Sequence, residues 1–421
     1  MSAVVTGIGV VAPNGLGTAE FWRRTLDGES GIGPITRFDA SRYPVRLAGE
    51  VPGFTAADHV PGRLVPQTDR GTQLALAATD WALEDADAHP GDFGDFDMGV
   101  ATAASAGGFE FGQRELQNLW RLGPRHVSAY QSFAWFYAVN AGQISIRHGM
   151  RGPIGINVSE QAGGLDAVAQ ARRLVRKRTA LVVTGAVDAS LCPWGLVAQI
   201  PGGRLSTSGD PGAAYLPFAA GARGHLPGEG GAILIVEDAD HARRRGAPHL
   251  YGEIAGYRAT FDPAPRTGRP SRLASAVRGA LDDAGMAAGD IDVVFADGAG
   301  VPELDRAEAE ALAEVFGRCG VPVTAPKSMT GRLNAGGAAL DLAAALLSIR
   351  DGVIPPTAGV VQPDESYGLD LVTRTRRATV GAALVLARGY GGFNAAMVVR
   401  RCPQAAPRPA RAAAITQGEG T

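Results

Sequence analysis

The sequence predicts an α/β fold with buried sheets, on three observations. Short β-rich runs recur at residues 3–11, 99–103, 180–184, 232–237, 293–295 and 382–387. Ala/Leu-rich stretches at helical spacing lie between them, at 72–88, 165–178, 272–284, 306–316 and 338–350. Glycine makes up 58 of the 421 residues, so connections are tight and backbones approach closely. The length suits two or three domain-sized units or one large duplicated fold.

Residues 3–11 form an apolar run that Pro13-Asn14-Gly15 cuts short, so the opening reads as a strand and turn. No basic segment precedes the run, so it does not read as a signal peptide. Gly7-Ile8-Gly9 imitates a dinucleotide fingerprint, but that motif must open a helix, which Pro13 and Gly15 prevent. Residues 109–137 hold eight aromatics (Phe109, Phe111, Trp120, Tyr130, Phe133, Trp135, Phe136 and Tyr137), several times an even share. Such enrichment suits an interface or an apolar tunnel, although clustering alone slightly favours an ordinary core patch. Residues 126–146 lack Asp, Glu, Lys and Arg but are too polar to span a membrane. The helix at 165–178 ends in Arg172, Arg173, Arg176, Lys177 and Arg178, a pattern that fits the negative end of a helix better than a docking site. The tail, 406–421, is expected to be disordered.

Two helix starts resemble each other: Gln161-Ala162-Gly163-Gly164-Leu165-Asp166, and Asn334-Ala335-Gly336-Gly337 with Asp341 further on. Residues 231–236 also resemble 381–386. Two similar halves meeting near residue 250 would account for both, although Ala/Gly-rich helices can look alike by composition alone.

Composition excludes several functions. With 40 basic and 42 acidic residues the net charge is -2, so a nucleic-acid partner held by bulk electrostatics is not expected. Cys192, Cys319 and Cys402 have no metal-ligand spacing, and neither a metal site nor a disulfide framework is expected. A soluble, cytoplasmic protein without a membrane partner follows from these readings.

Three segments carry the chemistry: 157–167 (NVSEQAGGLDA), 296–305 (ADGAGVPELD) and 326–337 (PKSMTGRLNAGG). With the opening VVTGIGVVAPNG and the late GYGGFN of residues 389–394, they resemble the β-ketoacyl synthase family from residue 3 to about residue 401. The resemblance implies a thiolase-like fold, two pseudo-duplicated halves in an αβαβα arrangement, at 1–248 and 249–405. Condensing members need a thiolate at a helix N-terminus and two histidine donors for a developing enolate oxygen.

Here the cysteine position is Gln161, the histidine positions are Asp297 and Arg332, and only Lys327 is retained. An amide is no nucleophile and a guanidinium gives up no proton. Glutamine at the cysteine position resembles the chain-length factors of bacterial type II polyketide synthases. That resemblance implies a non-condensing subunit of a β-ketoacyl synthase complex. It would pair with an active ketosynthase and shape a tunnel for intermediates carried on the phosphopantetheine of an acyl carrier protein. The chain itself would bind no cofactor.

The resemblance also implies a chain-length gate at Phe109, Gly112, Leu116 and Phe133. Because Gly112 and Leu116 are not aromatic, a fairly deep tunnel is expected, for a decaketide or longer. An alternative is a malonyl-carrier-protein decarboxylase using Gln161 to supply acetyl primer. A third is a condensing homodimer using Cys192 or Cys319, which sit in no nucleophile motif and read better as buried structural thiols.

Overall fold

The computed structural model describes residues 2–402, so the expected tail lies outside the described residues. The first half contributes strands β1 (Ala3–Ala12), β2 (Met98–Ala103), β3 (Ile154–Asn157), β4 (Leu181–Asp188) and β5 (Gly230–Asp238). Its main helices are α1 (Arg70–Asp85), α2 (Phe109–Leu122), α3 (Val139–His148), α4 (Gly163–Arg176) and α5 (Pro193–Gln199). The second half contributes β6 (Gly252–Phe261), β7 (Val293–Phe295), β8 (Pro322–Thr324), β9 (Ala382–Gly389) and β10 (Phe393–Arg400). Its helices are α6 (Leu273–Ala284), α7 (Pro302–Phe316) and α8 (Ala335–Asp351).

Each half repeats one plan. The strand order is β3-β2-β4-β5-β1 in the first and β8-β7-β9-β10-β6 in the second. In both, the three outer strands pair parallel and the two inner pairings are antiparallel. The halves meet where β1 runs antiparallel to β6, with Val4 opposite Glu253 and Val5 opposite Gly252. Helices α4 and α8 pack between the two half-sheets, while α1 and α6 cover the outer faces.

This layering explains the sequence. Helix α8 is buried on nearly every face because it contacts strands of both halves, so it carries no polar stripe. The Gly-rich helix starts are steric necessities: a Cβ on Gly164 would lie 2.5 Å from the Ala335 carbonyl oxygen, and one on Gly336 2.0 Å from that of Gly230. Close approach also explains the false fingerprint, since a Cβ on Gly9 would lie 1.9 Å from the Ala78 carbonyl oxygen of α1.

The duplication inferred from the helix starts agrees with this plan, but the likeness of residues 231–236 to 381–386 does not. The former lie in the fifth strand of the first half and the latter lead into the fourth strand of the second. A small-residue start followed by aliphatics suits any strand buried on both faces, so it marks no repeat position.

Candidate functional site

Gln161 lies in the short turn ahead of α4 and is buried. With its amide turned so that both ends are satisfied, the side-chain nitrogen donates to the Asn334 carbonyl at 2.9 Å and the oxygen accepts from the Asn334 N–H at 3.1 Å. The amide therefore staples the turn before α4 to the residue before α8. Glu160 beside it has φ 52, a left-handed conformation unusual for a side-chain-bearing residue, and its carboxylate accepts the Tyr390 N–H at 2.7 Å. The start of α8 is held from the other side by Asp188, which accepts the Ala335 N–H at 2.9 Å. Burial pushes the Asp188 carboxyl up to about 6, against the pull of the N–H groups it accepts.

Asp297 follows β7 and Arg332 precedes α8, and both are buried. They form a bidentate pair, Nη2 to Oδ1 at 3.0 Å and Nη1 to Oδ2 at 3.1 Å. The pair also grips β9: Arg332 Nη2 donates to the Arg388 carbonyl at 3.1 Å, and Arg388 N–H donates to Asp297 Oδ1 at 3.0 Å. Burial works to raise the Asp297 pKa, but Arg332 and Lys327 hold it below the usual carboxylate range. Lys327 pairs with Asp341 of α8 at 2.6 Å and donates to the Ala296 carbonyl at 2.8 Å. The positions singled out in the sequence thus converge, and their charges cancel in pairs.

Sequence reasoning missed two neighbours that belong to no motif. Glu308 on α7 accepts the N–H groups of Asp297 and Gly298 at 2.7 and 2.9 Å, and burial beside Asp297 pushes its carboxyl up to about 7. His225 is lowered to about 3 by burial and by Arg332, so it is a neutral imidazole. Its Nδ1 faces the Ala299 carbonyl at 3.3 Å, which puts the proton on Nδ1 and leaves Nε2 as an acceptor.

A cleft of about 960 Å³ opens over this cluster, lined among others by Phe109, Glu160, His225, Asp297, Arg332 and Tyr390. Phe109 stacks on Trp194 of α5, ring centroids 4.8 Å apart and nearly parallel. Of the four gate positions only Phe109 lines this cleft. The space at Gly112 is not free, because a Cβ there would lie 3.1 Å from the Trp194 ring and 3.6 Å from Trp135. The Trp194 ring therefore stands against the position where Gly112 has no side chain. Leu116 is exposed, and Phe133 is half-buried with its ring edge against Tyr130 at 5.8 Å.

The other predicted features are placed as follows. The aromatic segment is no core patch, since Trp120, Tyr130, Trp135, Phe136 and Tyr137 are all exposed. Arg172 leaves the basic cluster: it is buried, pairs with Asp283 and donates to the Ala255 carbonyl. Cys192 is buried, its thiol pushed up to about 11, and it accepts the Gly195 N–H, but Cys319, also expected to be a buried thiol, is exposed. Among the described residues no group of three or more His, Cys, Asp and Glu could hold a metal ion, and no helix is long and apolar enough to cross a membrane.

Residues 2–242 match the β-ketoacyl synthase N-terminal domain, and residues 251–361 match the C-terminal domain. The chain belongs to the β-ketoacyl synthase family. It is 64% identical to the tetracenomycin polyketide synthase ketoacyl synthase beta subunit of Streptomyces glaucescens, over 94% of this chain and 98% of that one. It is 61% identical to the actinorhodin polyketide putative β-ketoacyl synthase 2 of Streptomyces coelicolor, over 95% and 99%. Among solved structures it resembles the ishigamide ketosynthase/chain length factor, with a TM-score of 0.85, 27% identity, and 95% of this chain and 99% of that one covered.

The buried amide of Gln161 has both of its hydrogen-bonding ends engaged by the Asn334 backbone. Arg332 spends its fork on Asp297, so the two buried charges satisfy one another.

Proposed function

We propose that the chain is the non-condensing, chain-length-determining subunit of a type II polyketide synthase. It pairs with an active ketosynthase and lends one wall to the tunnel in which a poly-β-ketone grows. The growing chain is carried on the phosphopantetheine of an acyl carrier protein, in the cytoplasm, and this subunit contributes no cofactor. Phe109, Gly112, Leu116 and Phe133 form the gate, with Trp194 as its backing. Gln161, Asp297 and Arg332 are vestigial positions turned to structural use, and Lys327 is retained for its pair with Asp341. Of the halves at 1–248 and 249–405, the first supplies Gln161 and the second supplies Asp297, Lys327 and Arg332.

The observation that carries this reading is the Asp297–Arg332 pair. It fills both histidine positions with a self-neutralising couple, so the scaffold persists without its donors. The test is reconstitution with malonyl carrier protein. The purified pair should make a polyketide, and blocking the ketosynthase's cysteine should abolish it. Output that survives the block would refute the assignment.

A further inference from the structure

Phe109 stands on a segment that two buried carboxylates, Asp69 and Asp188, hold from opposite ends. Helix α2 brings no cap of its own, because Gly108 ahead of it has no side chain. Its first internal bond runs from the Gly112 N–H to the Gly108 carbonyl at 2.9 Å, so N–H groups of the first turn need partners from elsewhere. Asp69 supplies one. Its Oδ2 accepts the Phe111 N–H at 2.9 Å, while its Oδ1 accepts the Gly71 N–H at 3.0 Å as the N-cap of α1. One carboxylate thus caps two helices, and its negative charge suits both positive ends. At the other end of the segment Asp188, the last residue of β4, accepts the Ser105 N–H at 3.1 Å along with that of Ala335. The two carboxylates line one small cavity, together with Thr72 and Asn140. The fit leaves no slack: a Cβ on Gly108 would lie 2.9 Å from that of Asp69 and 2.2 Å from the Ala134 carbonyl oxygen.

We propose that Asp69 is a positioning residue for chain length: by capping α2 it fixes the first turn and so holds Phe109 on Trp194. The inference rests on the reading of Phe109 as a gate and deepens it. Phe109 is the first residue of α2, two before the N–H that Asp69 accepts. A first turn without a cap frays, and its first side chain moves most. Trp194 does not depend on that cap, because its N–H donates to Gln113 Oε1, one turn further along α2, at 2.7 Å. Loss of the cap therefore frees Phe109 from the stack while the Trp194 ring stays in place. Asp69 is not among the residues that line the cleft, so it reaches the growing chain only through Phe109.

The test is the length of the polyketide made by the full chain with an active ketosynthase, read by mass analysis. Asp69→Ser keeps one oxygen to cap α1 and loses the one that Phe111 needs. It should raise the ratio of longer to parental product about fivefold, the order expected for one lost cap bond. Phe109→Ala should also lengthen the product. Adding Asp69→Ser to it should change the length no further, because both act through one ring. Thermal unfolding verifies that the variants fold. Should Asp69→Ser fail to fold, Asp69→Asn, which keeps the shape and one accepting oxygen, is read in the same way. A merely structural Asp69 would lower output and leave the ratio alone. An unchanged ratio in a folded variant, or an equal rise in the Phe109→Ala background, refutes the positioning role while the gate stands. If Phe109→Ala leaves the length unchanged, the gate reading fails and the positioning role with it.

Discussion

Arg332 and Asp297 meet side-on in the protein interior, two nitrogens facing two oxygens at 3.0 and 3.1 Å. Removing one partner strands the other. Arg332→Met should lower stability by about 3–5 kcal/mol, whereas Asp297→Leu/Arg332→Met should recover most of the loss. Denaturant titration of the three proteins measures this. A double variant as unstable as the single one would mean that the grip on Arg388, not the neutralisation of charge, is what the pair contributes.

Gln161→Ala removes two hydrogen bonds to the Asn334 backbone; the carbonyl keeps the Gly337 N–H, at 3.1 Å, while the Asn334 N–H loses its partner. Its expected cost is about 1–3 kcal/mol per stranded group. Product output of the folded complex should be unchanged. Loss of output at unaltered stability, with loss of acetyl carrier protein formation, would instead favour the decarboxylase alternative.

Glu308 gives a pH signature. Its carboxyl is raised from 4.5 to about 7 in the folded chain. Between those values the folded state holds a proton that the unfolded state has released, so this group makes stability fall as pH rises through that window. Asp297 has the opposite sign: its pKa is lowered, so its contribution is lost only on acidification below the ordinary carboxylate range. Stability curves of wild type and Glu308→Gln should therefore converge as pH falls from 7 to 4.5. Parallel curves would contradict a raised Glu308.

Gly112→Phe would drive a ring into Trp194, at a packing cost of about 1–3 kcal/mol. With an active partner it should shorten the polyketide. Adding Trp194→Ala should restore length. Mass analysis of the products decides, and an unchanged length in the single variant would remove Gly112 from the gate.

Much of this was legible in the sequence. Alternating strand and helix patterns carried the fold class, because burial on both faces leaves near-continuous aliphatic runs. The motifs carried Gln161, Asp297, Arg332 and Lys327 because the glycines around them are fixed by backbone approach, as at Gly164 and Gly336. What was hidden depends on contacts between distant segments. Nothing in the sequence near Phe109 announces that Trp194 stacks on it. Asp297 and Arg332 were each read as a loss of function, and their mutual pairing appears only when β7 and the start of α8 converge. Arg172 looks like its basic neighbours until the turn of α4 carries it inward to Asp283. The aromatic run could not be sorted into core or surface, since hydrophobicity does not distinguish a side chain buried by its own chain from one awaiting another.

The most direct measurement of the central claim is a condensation assay on this chain in isolation. The purified protein, free of any ketosynthase, is given an acyl-primed and a malonyl-loaded carrier protein, and carrier-bound products are weighed by mass spectrometry. The account predicts no extended thioester from the chain alone and extension once an active ketosynthase is added. A β-ketoacyl product formed without the ketosynthase would contradict it.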